Sequence, residues 1–313
     1  GAWAALHLHG PFQAAIELAE SVAALPALGT RHAAHVQAVQ GHAREASGQR
    51  AQALSHFQAA LALAREAGDL ACEAEVTARL AVLNGRAGQH EAARELITRA
   101  LSLARQVGHA ALECAALNSI GTMALEQGRI ADAQQHYEAA LAVARRQNDH
   151  RWQGILLGNL AIVHPLLGRM AEAQAGCEEA LQVARALADR QREGMHLCNL
   201  GMLHHLQGRH PQAQAAAVQA MQVAREMGAA RLEASAQGNL GLALAAQGRL
   251  PEAVANYQAA LDLARAGGLR MVASYFLGHL AVAEARLARH DSAQACLAES
   301  AALLGPGGDP SQL

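Results

Sequence analysis

Lysine is absent from this chain: all 25 basic side chains among its 313 residues are arginine. With 27 acidic residues the net charge is −2, which excludes a global field drawing the chain to nucleic acid or an anionic membrane. An arginine-only basic set reads as GC-rich coding bias and an expected bacterial origin. Aromatic residues make up only 3% of the chain, too few for a protein built of sheets. The five cysteines are odd in number and show no CxxC spacing. This argues against a disulfide framework or a zinc site and for a reducing cytoplasm. No apolar run approaches the ~18 residues a membrane helix needs, and no signal peptide is visible. No nucleophile–base pair, phosphate loop or nucleic-acid motif occurs either, so the expectation is a non-enzyme without cofactor or metal.

What is present is alanine, about a quarter of the chain, arranged with a period of 40 residues. It recurs from Ala53 and Ala93 through Ala253 to Ala293, seven times in all. Four residues later stands a bulkier side chain (Phe57, Ile97, Tyr137, Cys177, Tyr257, Leu297), with Ala217 the exception. Twelve residues before each first alanine comes Gly41, Ala81, Gly121, Ala161, Gly201, Gly241 or Ala281. A period in this range marks a solenoid, whose units bury their apolar faces only against neighbours.

The copy from Arg231 to Gly268 shows the unit. Apolar residues at helical spacing run from Leu232 to Gln247, Gly248-Arg249-Leu250 breaks them, and a second helix runs from Pro251 to about Ala266. Second-helix stops recur as Gly68, Gly108, Asn148, Ala188, Gly228 and Gly268. Glycine and asparagine suit a left-handed cap, whereas Ala188 argues for a different local cap. Asp69, Asp149 and Asp189 are candidate N-caps. Arg65, Arg105, Arg145, Arg185, Arg225 and Arg265 form a ladder at the negative ends of the second helices. Glu73, Glu113, Glu193 and Glu233 are its expected partners.

Leu240, Gly241, Ala253, Tyr257 and Ala260, repeated through residues 31–304, resemble the signature of the tetratricopeptide repeat. The 40-residue period is similar to a long-helix variant of that family, and the phrases Gly158-Asn159-Leu160-Ala161 and Gly238-Asn239-Leu240-Gly241 resemble arrays in bacterial signalling and regulatory proteins. The resemblance implies an all-α fold, a right-handed superhelical solenoid of about seven hairpins over residues 29–304. A partial N-terminal hairpin would precede it at 1–28, and a flexible tail follow at 305–313. Gln40 stands where the family places leucine, and Ser300 makes the last copy irregular.

The resemblance also implies that the first helix of each hairpin lines a groove. The residue before the Leu-small pair would point into it, and so would the residue four positions earlier. The first series contains Arg79, Ser119, Asn159, Asn199, Asn239 and His279; the second contains Ile155, Met195 and Tyr275, with Met202 beside them. The three asparagines form a ladder of amides able to donate to and accept from a peptide backbone, or else to tie each first helix to its neighbour. Apolar side chains between amides suit an extended or helical peptide. The lysine-dependent clamp some family members use for chaperone tails is excluded. His164, His204, His205 and His210 do not converge as metal ligands at helical spacing.

The expected function is therefore a protein- or peptide-binding scaffold, the sensor or assembly arm of a larger bacterial regulatory protein with an attached effector domain. A self-assembly module and an α/α-toroid enzyme are the alternatives; the latter would need paired carboxylates in a central cavity.

Overall fold

The computed structural model describes residues 28–304, together with Glu17, Ala19, Ser21 and Val22. The expected N-terminal hairpin and the C-terminal tail lie outside these residues, apart from those four positions and Leu28. Fourteen helices occur among the described residues, and no strand. The chain divides between Trp152 and Gln153, in the first turn of the seventh helix, into two compact units.

The first unit holds α1 (Thr30–Ala46), α2 (Arg50–Glu66), α3 (Leu70–Arg86), α4 (His90–Gln106), α5 (Ala110–Glu126) and α6 (Ile130–Arg146). The second holds α7 (His150–Leu166), α8 (Met170–Ala186), α9 (Arg190–Leu206), α10 (His210–Met227), α11 (Ala230–Ala246), α12 (Leu250–Ala266), α13 (Arg270–Arg286) and α14 (His290–Leu304). Consecutive odd and even helices are the two arms of a hairpin. Within each unit, first helices also touch the first helix of the next hairpin, whereas among the described residues second helices show no comparable contact with each other.

Inside a hairpin the arms approach where the first one carries glycine. A Cβ added to Gly41, Gly121 or Gly241 would lie within 2.7 Å of the ring of Phe57, Tyr137 or Tyr257. Where the partner is Ile97, Cys177 or Leu297, the facing residue is alanine (Ala81, Ala161, Ala281). In the fifth copy Ala217 replaces the ring, and a Cβ on Gly201 would meet nothing nearer than 3.5 Å. There α10 buries both Ala216 and Ala217.

A second set of glycines brings first helices together. His196 of α9 packs onto Gly158 of α7, Leu232 of α11 onto Gly194 of α9, and Phe276 of α13 onto Gly238 of α11. The result is a close-packed tier of first helices with large side chains seated in glycine notches. Leu297 is 56% exposed, whereas Phe57 and Tyr257 at the equivalent position are buried, Tyr257 against the rings of Phe276 and His279 of α13.

The caps follow the sequence with one correction. Asp69, Asp149 and Asp189 accept from the backbone N–H of Cys72, Trp152 and Arg192 at 3.0–3.1 Å. The His109 imidazole does the same for Leu112, which residue type alone did not suggest. Ala188 does not change the cap. It takes the left-handed conformation, φ 52°, and its neighbour Asp189 donates to Ala184 O as Asp149 does to Ala144 O. The turn geometry overrides the alanine's preference and leaves local strain.

The arginine ladder pairs as its spacing suggests. Arg65–Glu73, Arg105–Glu113, Arg185–Glu193 and Arg225–Glu233 are 2.7–3.2 Å apart, and Arg265 turns to Glu299 because position 273 is alanine. Burial alone would raise the pKa of Glu193, but hydrogen bonds from Arg185 and Arg190 outweigh it and hold the carboxyl below its ordinary value.

Candidate functional site

An open cavity of about 970 Å³ lies against α9, α11 and α13, three successive first helices of the second unit. Each helix offers residues one turn apart on one face: Gln191, Met195 and Asn199 from α9, Arg231, Ser235 and Asn239 from α11, Met271 and Tyr275 from α13. The i, i+4 spacing puts these side chains on a single stripe, and the 40-residue period sets the stripes side by side. Leu232 and Phe276, held in the notches of Gly194 and Gly238, form part of the wall.

The surface is apolar and unusually open for such side chains. Met195 is 50% and Met271 52% exposed. Among the described residues, every large apolar side chain counted as exposed lies beyond Gln153, from Ile162 to Leu297. Thioether side chains adapt their shape to what they touch, which suits a surface that must receive varied apolar groups.

The three ladder asparagines differ. Asn239 donates from Nδ2 to the carbonyl of Cys198 at 3.1 Å and so ties α11 to α9. Asn159 is also engaged, in an interaction of its own. Asn199, half-buried at the cavity, has no side-chain hydrogen bond among the described residues.

The walls carry almost no charge. Burial pushes the Cys198 thiol up to about 12, so it is no nucleophile. Burial also raises the Tyr275 phenol. Edge-on to the ring of Tyr275, 4.7 Å away centre to centre, His279 is held below the usual imidazole range by burial and then by nearby His205. Among the described residues no carboxylate lines the cavity, and Arg231 is its one charged side chain.

The cavity brings together Met195, Asn199, Met202, Asn239 and Tyr275 from the sequence expectation. Ile155, Asn159 and His279 lie in the same unit but do not line it; Arg79 and Ser119 belong to the first unit, where Ser119 bonds back to Ala115 O. Gln191, Arg231 and Met271 were not foreseen. They stand one turn earlier on the same faces, four residues before Met195, Ser235 and Tyr275, so extending the periodic stripe by one turn finds them. Among the described residues no three His, Cys, Asp or Glu side chains are placed to hold a metal ion, and no helix is long and apolar enough to cross a membrane.

Sequence models of the tetratricopeptide repeat match residues 38–71, 112–167, 156–226 and 234–266, together more than half of the chain. The chain belongs to the tetratricopeptide repeat family. No curated protein sequence matches it significantly. Solved structures share the fold at low identity. The apo form of the quorum sensor NprR from B. thuringiensis aligns with TM-score 0.76 at 14% identity, over 94% of this chain and 83% of that one. The apo form of RapI aligns with TM-score 0.74 at 13% identity, over 86% and 97%. A Rap protein complexed with competence and sporulation factor gives 0.70 at 17%, over 94% and 79%. As a tetratricopeptide repeat protein, the chain is an all-α array of hairpins, and the coarse expectation of a protein- or peptide-binding scaffold stands.

Proposed function

We propose that the second unit binds a short peptide across α9, α11 and α13, and that the chain is the sensor or assembly arm of a larger bacterial regulatory protein in the cytoplasm. The observation that carries this reading is the cavity itself: half-exposed Met195 and Met271 stand beside Asn199, whose amide has no partner among the described residues. Exposed methionines receive apolar side chains, while a free amide can pair with the N–H and C=O of an extended backbone. A Rap protein of the same fold was crystallised with the competence and sporulation factor, a use of this architecture that supports the reading. The five cysteines are free, as a reducing compartment requires.

The remaining ladder residues take a lesser part. Asn239 sets the spacing of two lining helices, and His279 packs edge-on against the ring of Tyr275. Ile155 and Asn159 could extend contact along the unit for a longer peptide, and Arg79 and Ser119 have no part in this cavity.

Retention of random hexapeptide pools on the immobilised chain tests the proposal. Wild type retains a defined subset, and the variants Asn199→Ala and Met195→Ala with Met271→Ala each release it. Unchanged retention by all of them would remove the peptide from this cavity.

A further inference from the structure

Apolar anchors and a free amide leave one feature of the cavity unused. Arg231 stands in the first turn of α11 at the cavity. Every other arginine between Gln153 and Leu304 holds a carboxylate or donates to an amide or backbone oxygen; Arg231 does neither among the described residues. The nearest acidic residue in sequence, Glu233, is engaged by Arg225 at 2.7 Å. The N-cap position of α11 is Ala229, which supplies no side-chain acceptor, whereas Asp189 caps α9. The positive end of α11, an unpaired guanidinium and a wall without carboxylates therefore meet at one place.

We infer that the occupant of this cavity carries a carboxylate, held by Arg231 and the uncapped first turn of α11, with a bulky apolar side chain beside it among Met195, Met271 and Tyr275. The inference rests on the peptide reading and names the chemistry it requires. The planar guanidinium matches a carboxylate with two parallel hydrogen bonds. Helix N-termini favour anions through free N–H groups and the helix dipole. One arginine, with no second cation lining the cavity, balances one negative charge; a phosphate, near −2, would be left half-compensated. The carboxylate comes from the end of the peptide or from an Asp or Glu within it.

Four N-acetylated hexapeptide pools separate these sources: free acid or C-terminal amide, each synthesised with or without Asp and Glu. They are passed over the immobilised full chain and its Arg231→Gln variant, whose fold is checked by circular dichroism. Wild type should retain the carboxylate-bearing pools. Arg231→Gln should weaken the best sequences about tenfold or more, as expected for loss of a charge-assisted pair. It should leave unchanged any sequence selected from the pool lacking carboxylates. Retention of the free-acid pool without Asp or Glu assigns the terminal carboxylate; retention of the amide pool with them assigns a side chain. If the carboxylate-free pool binds as well as the others and Arg231→Gln changes nothing, the inference falls while peptide binding stands. If no pool is retained, both fall. Displacement by inorganic phosphate at concentrations where acetate has no effect would also overturn the carboxylate assignment.

Discussion

Gly241 of α11 faces the ring of Tyr257 of α12 so closely that an added Cβ would lie 2.7 Å from its ring carbons. The same relationship holds for Gly41 with Phe57 and Gly121 with Tyr137, and it relaxes at Gly201, where Ala217 replaces the ring. Gly241→Ala should therefore lower stability by ~1–2 kcal/mol, overpacking outweighing the better helix propensity of alanine. Gly201→Ala, facing Ala217, should raise it by roughly 0.5–1 kcal/mol. Urea-unfolding midpoints of the two variants check this, and equal shifts of one sign would contradict it.

Ala188 holds φ 52° at a position where most other copies use glycine. Ala188→Gly should raise the thermal midpoint, with a gain of about 0.5–1 kcal/mol, because relief of left-handed strain exceeds the extra entropy lost by glycine. A lower midpoint would show that the turn imposes no strain.

His196 is buried against Gly158, and neither ring nitrogen has a hydrogen-bond partner. Burial, with a smaller push from Arg192, lowers its pKa from 6.5 to about 4. The unfolded chain thus binds a proton more readily. Stability should be complete above pH 6.5 and fall as the pH drops toward 4, by about 3 kcal/mol from this group. His196→Leu should flatten that part of the stability–pH curve without a large loss at pH 7.5. An unaltered slope would mean that His196 is protonated in the folded chain.

The hairpins, the two kinds of cap and the arginine ladder were legible because each is local and repeats. Leu240, Gly241 and Tyr257 carry that message from the two arms of one hairpin, and Arg185 meets Glu193 eight residues on. The exchange of glycine for alanine opposite Phe57, Ile97 and their equivalents was present in the sequence too, but its meaning depends on which two side chains face each other. Ala188 misled because residue preference is weaker than the geometry of a closed turn. The asparagines are equivalent by register, but in the fold Asn239 commits its amide to Cys198 O while Asn199 keeps its own. Arg231 was invisible for the converse reason. An arginine at a helix start looks ordinary until every neighbouring arginine is seen to have a partner.

That difference between the asparagines gives a prediction of its own. Asn239→Ala should cost ~0.5–1.5 kcal/mol of stability through the lost bond to Cys198 O. Asn199→Ala should leave stability within about 0.5 kcal/mol of wild type while reducing hexapeptide retention. Denaturant titration beside peptide retention separates the two, and a stability loss at Asn199 equal to that at Asn239 would make both structural ties.

The most direct test of the central claim is backbone hydrogen exchange of the full chain with and without its best-retained hexapeptide. Slowed exchange concentrated in α9, α11 and α13, and absent in Met195→Ala with Met271→Ala, is the predicted result. Slowed exchange confined to residues 30–146 would contradict the account.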